Sequence, residues 1–172
     1  MKLSSINPTA LVFTLVSLLA VLPATRAEVK PSPNGIAFPK GYQNWRIISM
    51  SHRTDNNTVR IIFGNDVAVK AARAGKTNPW PDGAILGKVV WKQTNASHWK
   101  KAIVPDKFVH AEFMFKDSKK YAKTYGWGWA RWKGMEQKPY GNATVAKECI
   151  ACHTPVKNND WVFTKPAVLP KP

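Results

Sequence analysis

The sequence predicts an α+β domain, predominantly antiparallel β-sheet with short flanking helices and a C-terminal helix. Three observations predict it. Most apolar runs between residues 45 and 132 alternate with period two or are rich in β-branched residues, rather than repeating every 3.6 residues. Turn signals built from Gly, Pro, Asn and Asp separate those runs. The helical pattern near the C-terminus carries the chain's two cysteines.

Taken in order, Val29 to Tyr42 contains Pro31, Pro33 and Pro39 and reads as an extended arm. Trp45–Met50 and Thr58–Phe63 read as strands. Asn65 or Asp66 can cap a short helix, DVAVKAARA, that stops at Gly75. Asn78 to Gly83 is a turn signal, and Ala84–Gln93 follows as a strong strand. Phe108–Lys116 places Val109, Ala111, Phe113 and Phe115 on one face and His110, Glu112 and Lys116 on the other. Asp117-Ser118 is expected to start a helix, KKYAKTY, stopped by Gly126. Trp127–Trp132 is a further strand, and Asn142 is expected to cap a helix, ATVAKECIACH.

The first 27 residues have a different character. Lys2 precedes an apolar run, Ala10–Leu22, and Thr25 and Ala27 supply small residues before a cleavage point. That is the layout of a secretory signal peptide, and the run is short for a span of roughly 20 residues. The expected organisation is a cleaved signal at 1–27, an arm at 28–41 and one domain at 42–172, delivered to the periplasm. The 172-residue chain carries 26 Lys+Arg against 10 Asp+Glu, a charge of +16. Cleavage removes Lys2 and Arg26 and no acid, leaving +14. Export argues against nucleic acid as the partner of this charge and leaves an acidic redox partner or anionic lipid. Apolar residues at 44% and charged residues at 21% exclude a disordered chain. Eight Trp supply flat aromatic surface suited to a large planar ligand.

Two cysteines in an exported chain would ordinarily pair as a disulfide or serve as a redox couple. Here they stand as Cys149-Ile150-Ala151-Cys152-His153, the C-x-x-C-H signature of c-type haem attachment. Residues i and i+3 share one side of a helix, so both thiols can reach two vinyl groups along one haem edge. His153 then presents its imidazole to the iron. The opposite axial position decides between electron carriage and small-molecule chemistry. No Met follows His153. The motif's terminal position excludes the usual small cytochrome c, and the period-two runs argue against a four-helix bundle. His52, His98 and His110 remain candidate sixth ligands, but no spacing singles one out. The expectation is one ligated face and one open face.

Several segments together carry a resemblance: GYQNWR (41–46), VRIIFGNDVA (59–68), WPDGAILGKVVWK (80–92), EFMFKDSKKYA (112–122), GWGWARW (126–132) and CIACH followed by NDWVFT (159–164). In this order the chain resembles the cytochrome P-460 family and its cytochrome c′-beta relatives. The resemblance implies an antiparallel sheet domain, a homodimer, one haem c and five-coordinate iron with His153 as proximal ligand. It implies hydroxylamine oxidation in one branch, with a strand Lys bonded to the haem macrocycle. The matching position is Lys88, on the strand face of Leu86, Val90 and Lys92. The c′-beta branch lacks that bond and binds nitric oxide in an apolar pocket. EFMFKDS and GWGWARW look closer to this second branch, and Lys88 to the first.

Arg60 matches a recurring family position, where a cation would stabilise developing negative charge; a surface salt bridge is the plain alternative. Glu112 can accept protons from hydroxylamine or simply face solvent. Asp160, seven residues after His153, can orient the imidazole or cap a turn. Trp127, Trp129 and Phe163 are candidate haem-wall residues, or plain core. Phe63, Trp80, Phe113 and Phe115 are candidate distal caps. The sequence therefore points to a periplasmic monohaem cytochrome acting on hydroxylamine or nitrogen oxides, with nitric oxide binding or electron carriage as alternatives.

Overall fold

A computed structural model describes residues 28–170. The signal-peptide expectation for 1–27 lies outside the described residues. The domain is a six-stranded antiparallel meander in sequence order, β1 (Arg46–Arg53), β2 (Thr58–Gly64), β3 (Ile85–Asn95), β4 (Ile103–Lys116), β5 (Trp127–Lys133) and β6 (Lys138–Pro139). Helix α1 (Asp66–Arg73) follows β2, and helix α2 (Val145–His153) follows β6. Among the described residues no helix is long and apolar enough to cross a membrane.

Alternation along the strands gives the sheet two apolar faces. One buries Ile48, Ile62, Leu86, Trp127 and Trp129 under α1, α2 and the chain that follows α2. The other gathers Val89, Ala111, Phe113, Ala130 and Trp132 with Phe38, Tyr42, Trp45 and Phe63. Phe38 meets Tyr42, Phe113 and Trp132 edge-on at 5.0–5.5 Å, the arrangement that ring quadrupoles favour. The arm at 28–41 is thus part of the fold rather than a mere lead-in. The Trp132 indole N–H donates to the Lys30 carbonyl at 2.9 Å, and the Asn34 amide donates to the Trp129 carbonyl at 2.8 Å.

Asn65 caps α1 as expected, accepting from Ala68 N at 3.0 Å. Two helical expectations change. Between β4 and β5 there is no α-helix, only turns and a 3₁₀ turn at Ala122–Thr124. Ten residues, 117–126, must reverse the chain here, and the Thr124 hydroxyl and the left-handed Tyr125 and Gly126 do so within the loop. Such a segment is too short to repay helix nucleation. At α2, the cap position falls to Thr144 rather than Asn142. Asn142 instead closes the preceding turn, its side-chain oxygen accepting from Thr144 N at 2.8 Å. A register shift between Ile47 and Ser49 turns Ile48 into the core, and the C-terminal tail returns beside it, Ala167 N donating to Ile48 O at 2.9 Å. That return path places residues 162–165 over one face of the sheet.

Candidate functional site

Helix α2 turns Cys149, Cys152 and His153 onto one cavity of about 840 Å³. Both thiols are unpaired, Cys149 half-buried and Cys152 exposed. Val145 is buried and Ala146 and Ile150 pack on the core, which fixes the helix and leaves its reactive side toward the cavity. The opposite wall is the sheet. Residues directly across an antiparallel pair share a face, so strand register assembles the wall in rows. One row runs Ile62, Lys88, Glu112, Arg131 across β2 to β5. The next runs Leu86, Met114, Trp129 across β3 to β5. Arg60, Arg53, Val162, Phe163 and Lys165 complete much of the rim.

The first row is an ionic cluster. Glu112 contacts both the Lys88 ammonium and Arg131 Nε, and its Oε1 lies 3.4 Å from His110 Nε2. Burial opposes charge on Glu112, but Lys88, Arg131 and His110 outweigh it and hold its pKa down at about 2. Burial, helped by Lys88, Arg131 and Arg60 against the pull of Glu112, pushes His110 down to about 4. Glu112 is therefore a carboxylate and His110 a neutral imidazole near pH 7. Both folded values lie below their ordinary ones of 4.5 and 6.5, so the unfolded chain binds protons first as pH falls. We expect urea-unfolding stability to decline from about pH 6.5 toward 4 through His110 and from about 4.5 toward 2 through Glu112, the two titrating as a coupled pair. A His110→Gln/Glu112→Gln variant should flatten that decline; an identical slope would contradict the assignment.

His153 is held from three sides. Its Nδ1 donates to the Trp161 carbonyl at 2.6 Å, which leaves the Nε2 lone pair available to a metal. Trp129 and Phe163 meet the imidazole edge-on at 4.7 Å and 5.0 Å. Burial lowers the pKa of His153 and favours the neutral ring that a metal requires, against the opposing Trp161 hydrogen bond. The expectation that Asp160 orients this imidazole is corrected: the partner is the next residue's carbonyl. Asp160 lies beneath it, accepting from Lys116 Nζ at 2.7 Å and from Trp80 N at 2.7 Å, while its own carbonyl takes the Trp127 indole at 2.8 Å. Asp160 and Trp161 both have positive φ, 47° and 64°, and this pair of left-handed residues turns the Trp161 carbonyl to His153.

Lys88, Arg60, Glu112, Trp129 and Phe163 thus line the same cavity as the C-x-x-C-H motif. Trp127 does not: it is fully buried and serves as core beneath the 160 loop. Phe63 and Phe115 belong to the opposite sheet face and Trp80 is core, and none of the three lines the cavity; Phe113 lines it, while packing among the aromatic rings of the opposite face. His52, His98 and His110 do not line it, whereas Met50 and Met114 do. Sequence reasoning missed Arg131, Met114 and the Trp161 carbonyl. Alternation along β5 puts Arg131 on the face of Trp129 and was the signal available for it.

The residues fit haem. The cavity lies in the size range of organic cofactor sites. Burial pushes the Cys149 thiol up to about 11, against the nearby Arg131, so it stays protonated. Two thiols one helical turn apart, a neutral imidazole beside them, apolar Ile62, Leu86 and Val162, and rim cations for carboxylates form a donor set suited to a covalently held porphyrin. No curated protein matches the chain. The profile of one family, Cytochrome P460, matches residues 39–164, a span that contains the sheet, the cysteine motif and all of the cavity lining except Lys165. The chain belongs to the cytochrome P460 family and is accordingly a haem-binding c-type cytochrome.

Proposed function

We propose that this chain is an exported monohaem cytochrome that oxidises hydroxylamine. Cys149 and Cys152 would hold the haem by thioethers, and His153 Nε2 would take the proximal position. When bound, haem supplies a redox-active iron that can take a small ligand opposite His153 and pass electrons onward. The observation that carries the reading is the ionic row Lys88–Glu112–Arg131 in the cavity of the cysteine motif. An apolar gas pocket has no use for a buried carboxylate held ionised, whereas oxidation of hydroxylamine must release protons.

The chain's residues divide that work. Glu112 accepts a proton at its carboxylate. Arg131 holds Glu112 in place and offsets its charge. Arg60, whose hydrogen bonds go to the Thr58 hydroxyl at 3.0 and 3.3 Å, leaves its positive charge to the cavity. Lys88 is the residue we assign to a bond with the macrocycle, an N–C bond that would replace one N–H and one macrocycle C–H as a two-electron oxidant takes the electrons and solvent the protons. That bond would consume its ammonium charge and leave Arg131 to hold Glu112 ionised. The neighbouring row of Leu86, Met114 and Trp129 favours the second reading, nitric oxide binding.

Purified holoprotein assayed for hydroxylamine-dependent reduction of ferricyanide separates them. We expect turnover and a red-shifted Soret band, with Lys88→Met restoring an ordinary c-type spectrum. An ordinary high-spin spectrum without turnover would favour the gas-binding reading. A low-spin six-coordinate spectrum would favour an electron carrier, with Met50 or Met114 as the first ligands to test.

A further inference from the structure

Resting on that reading, we propose that His110 is the proton relay that carries protons from Glu112 out of the cavity to solvent. The argument begins with what touches Glu112. Its neighbours are the Lys88 nitrogen, the Arg131 guanidinium and His110 Nε2 at 3.4 Å. A guanidinium already carries its protons and cannot accept another, and the Lys88 nitrogen is taken up by the macrocycle bond of that reading. The imidazole alone can, and its second nitrogen can release a proton in the same act.

The placement fits a relay. His110 sits two residues before Glu112 on β4, on the same strand face and one row further from the haem motif. It does not line the cavity, while Glu112 does. The His110 side chain is 20% exposed, so it reaches from the carboxylate to the surface. Its cross-strand neighbours are Val90 on β3 and Lys133 on β5. The charged groups facing it are Glu112 on β4, Lys88 on β3, Arg131 and Lys133 on β5, and Arg60 on β2. Glu112 is the single acid of that group, and so the one group among them that can hand His110 a proton.

The proton balance is simple. A proton leaves substrate for a Glu112 carboxylate oxygen. It passes to His110 Nε2, forming an imidazolium, which gives up the Nδ1 proton to water. Glu112 returns to carboxylate and His110 to a neutral ring now protonated at Nε2, and a ring flip or proton exchange with solvent restores the Nδ1–H tautomer before the next proton. The electrons leave separately, through the haem to a one-electron acceptor. The burial that keeps His110 neutral near pH 7 also makes the imidazolium short-lived.

The test uses the exported holoprotein with ferricyanide as acceptor. His110→Gln keeps the hydrogen-bonding shape and cannot relay. We expect kcat for hydroxylamine to fall by about a hundredfold, the lower end of general acid–base contributions. KM and the Soret band should stay unchanged, the solvent deuterium isotope effect should rise, and added imidazole should recover part of the rate. His110→Asn serves as a second variant should the first fold poorly. An active wild type with unaltered turnover and isotope effect in either well-folded variant would overturn the relay alone. A wild type that does not turn over hydroxylamine would overturn the functional reading and the relay with it.

Discussion

Asp160→Ala will destabilise the protein by about 3–5 kcal/mol, the cost of leaving one member of a buried ion pair without its partner. Lys116 and Asp160 side chains are 8% and 9% exposed, and the ammonium is held by both carboxylate oxygens at 2.7 and 2.9 Å. Removing the carboxylate strands a buried ammonium, frees the Trp80 amide and loosens the loop that carries Trp161. The effect should reach the haem side, because the Trp161 carbonyl sets the orientation of His153. We expect a lower urea midpoint together with a shifted reduction potential. The double variant Asp160→Ala/Lys116→Met should recover much of the stability but not the potential, since no charge is then left unpaired while the loop remains unpinned. Equal losses in the single and double variants would mean that the ion pair does not govern this loop.

Glu112→Gln will lower hydroxylamine turnover by about 10²–10⁴-fold, the range of a positioned general base. Glutamine fills the same volume but cannot accept a proton. It also leaves Lys88, Arg131 and Arg60 facing one another without the charge that offsets them. The Soret band and haem content should be kept, since Glu112 is not among the residues expected to hold the haem. A variant with full turnover would exclude Glu112 as the proton acceptor and would point to water in the cavity instead.

These two residues show what the sequence could and could not convey. Alternation along β4 placed Glu112 opposite the Phe113 face, and the C-x-x-C-H spacing placed two thiols and an imidazole on one helix. What alternation does not encode is register. Lys88 meets Glu112, and Glu112 meets Arg131, only because β3, β4 and β5 pair with those residues opposite one another. Asp160 misled for a related reason. Its spacing from His153 suggested direct contact, but two successive non-glycine residues in the left-handed region turn the Trp161 carbonyl toward the imidazole instead. Local propensity disfavours that backbone, which is held both by the buried Lys116–Asp160 pair and by the turn closed by Trp161 N on Val156 O and the Asn159 amide on Val162 O. Trp127 shows the same limit: a strand pattern gives its face, but the loop that covers it comes from 33 residues further on. The helix expected at KKYAKTY failed because a ten-residue turn between paired strands overrides its moderate helical preference.

The central claim is that a porphyrin is covalently held by Cys149 and Cys152 within the cavity of the ionic row. Mass spectrometry of the tryptic peptide Glu148–Lys157, from protein exported by a cell competent for cytochrome c maturation, tests it most directly. The account predicts a haem-sized addition to this peptide, with the Lys88 peptide joined to the same group. A peptide carrying two unmodified cysteines would contradict it.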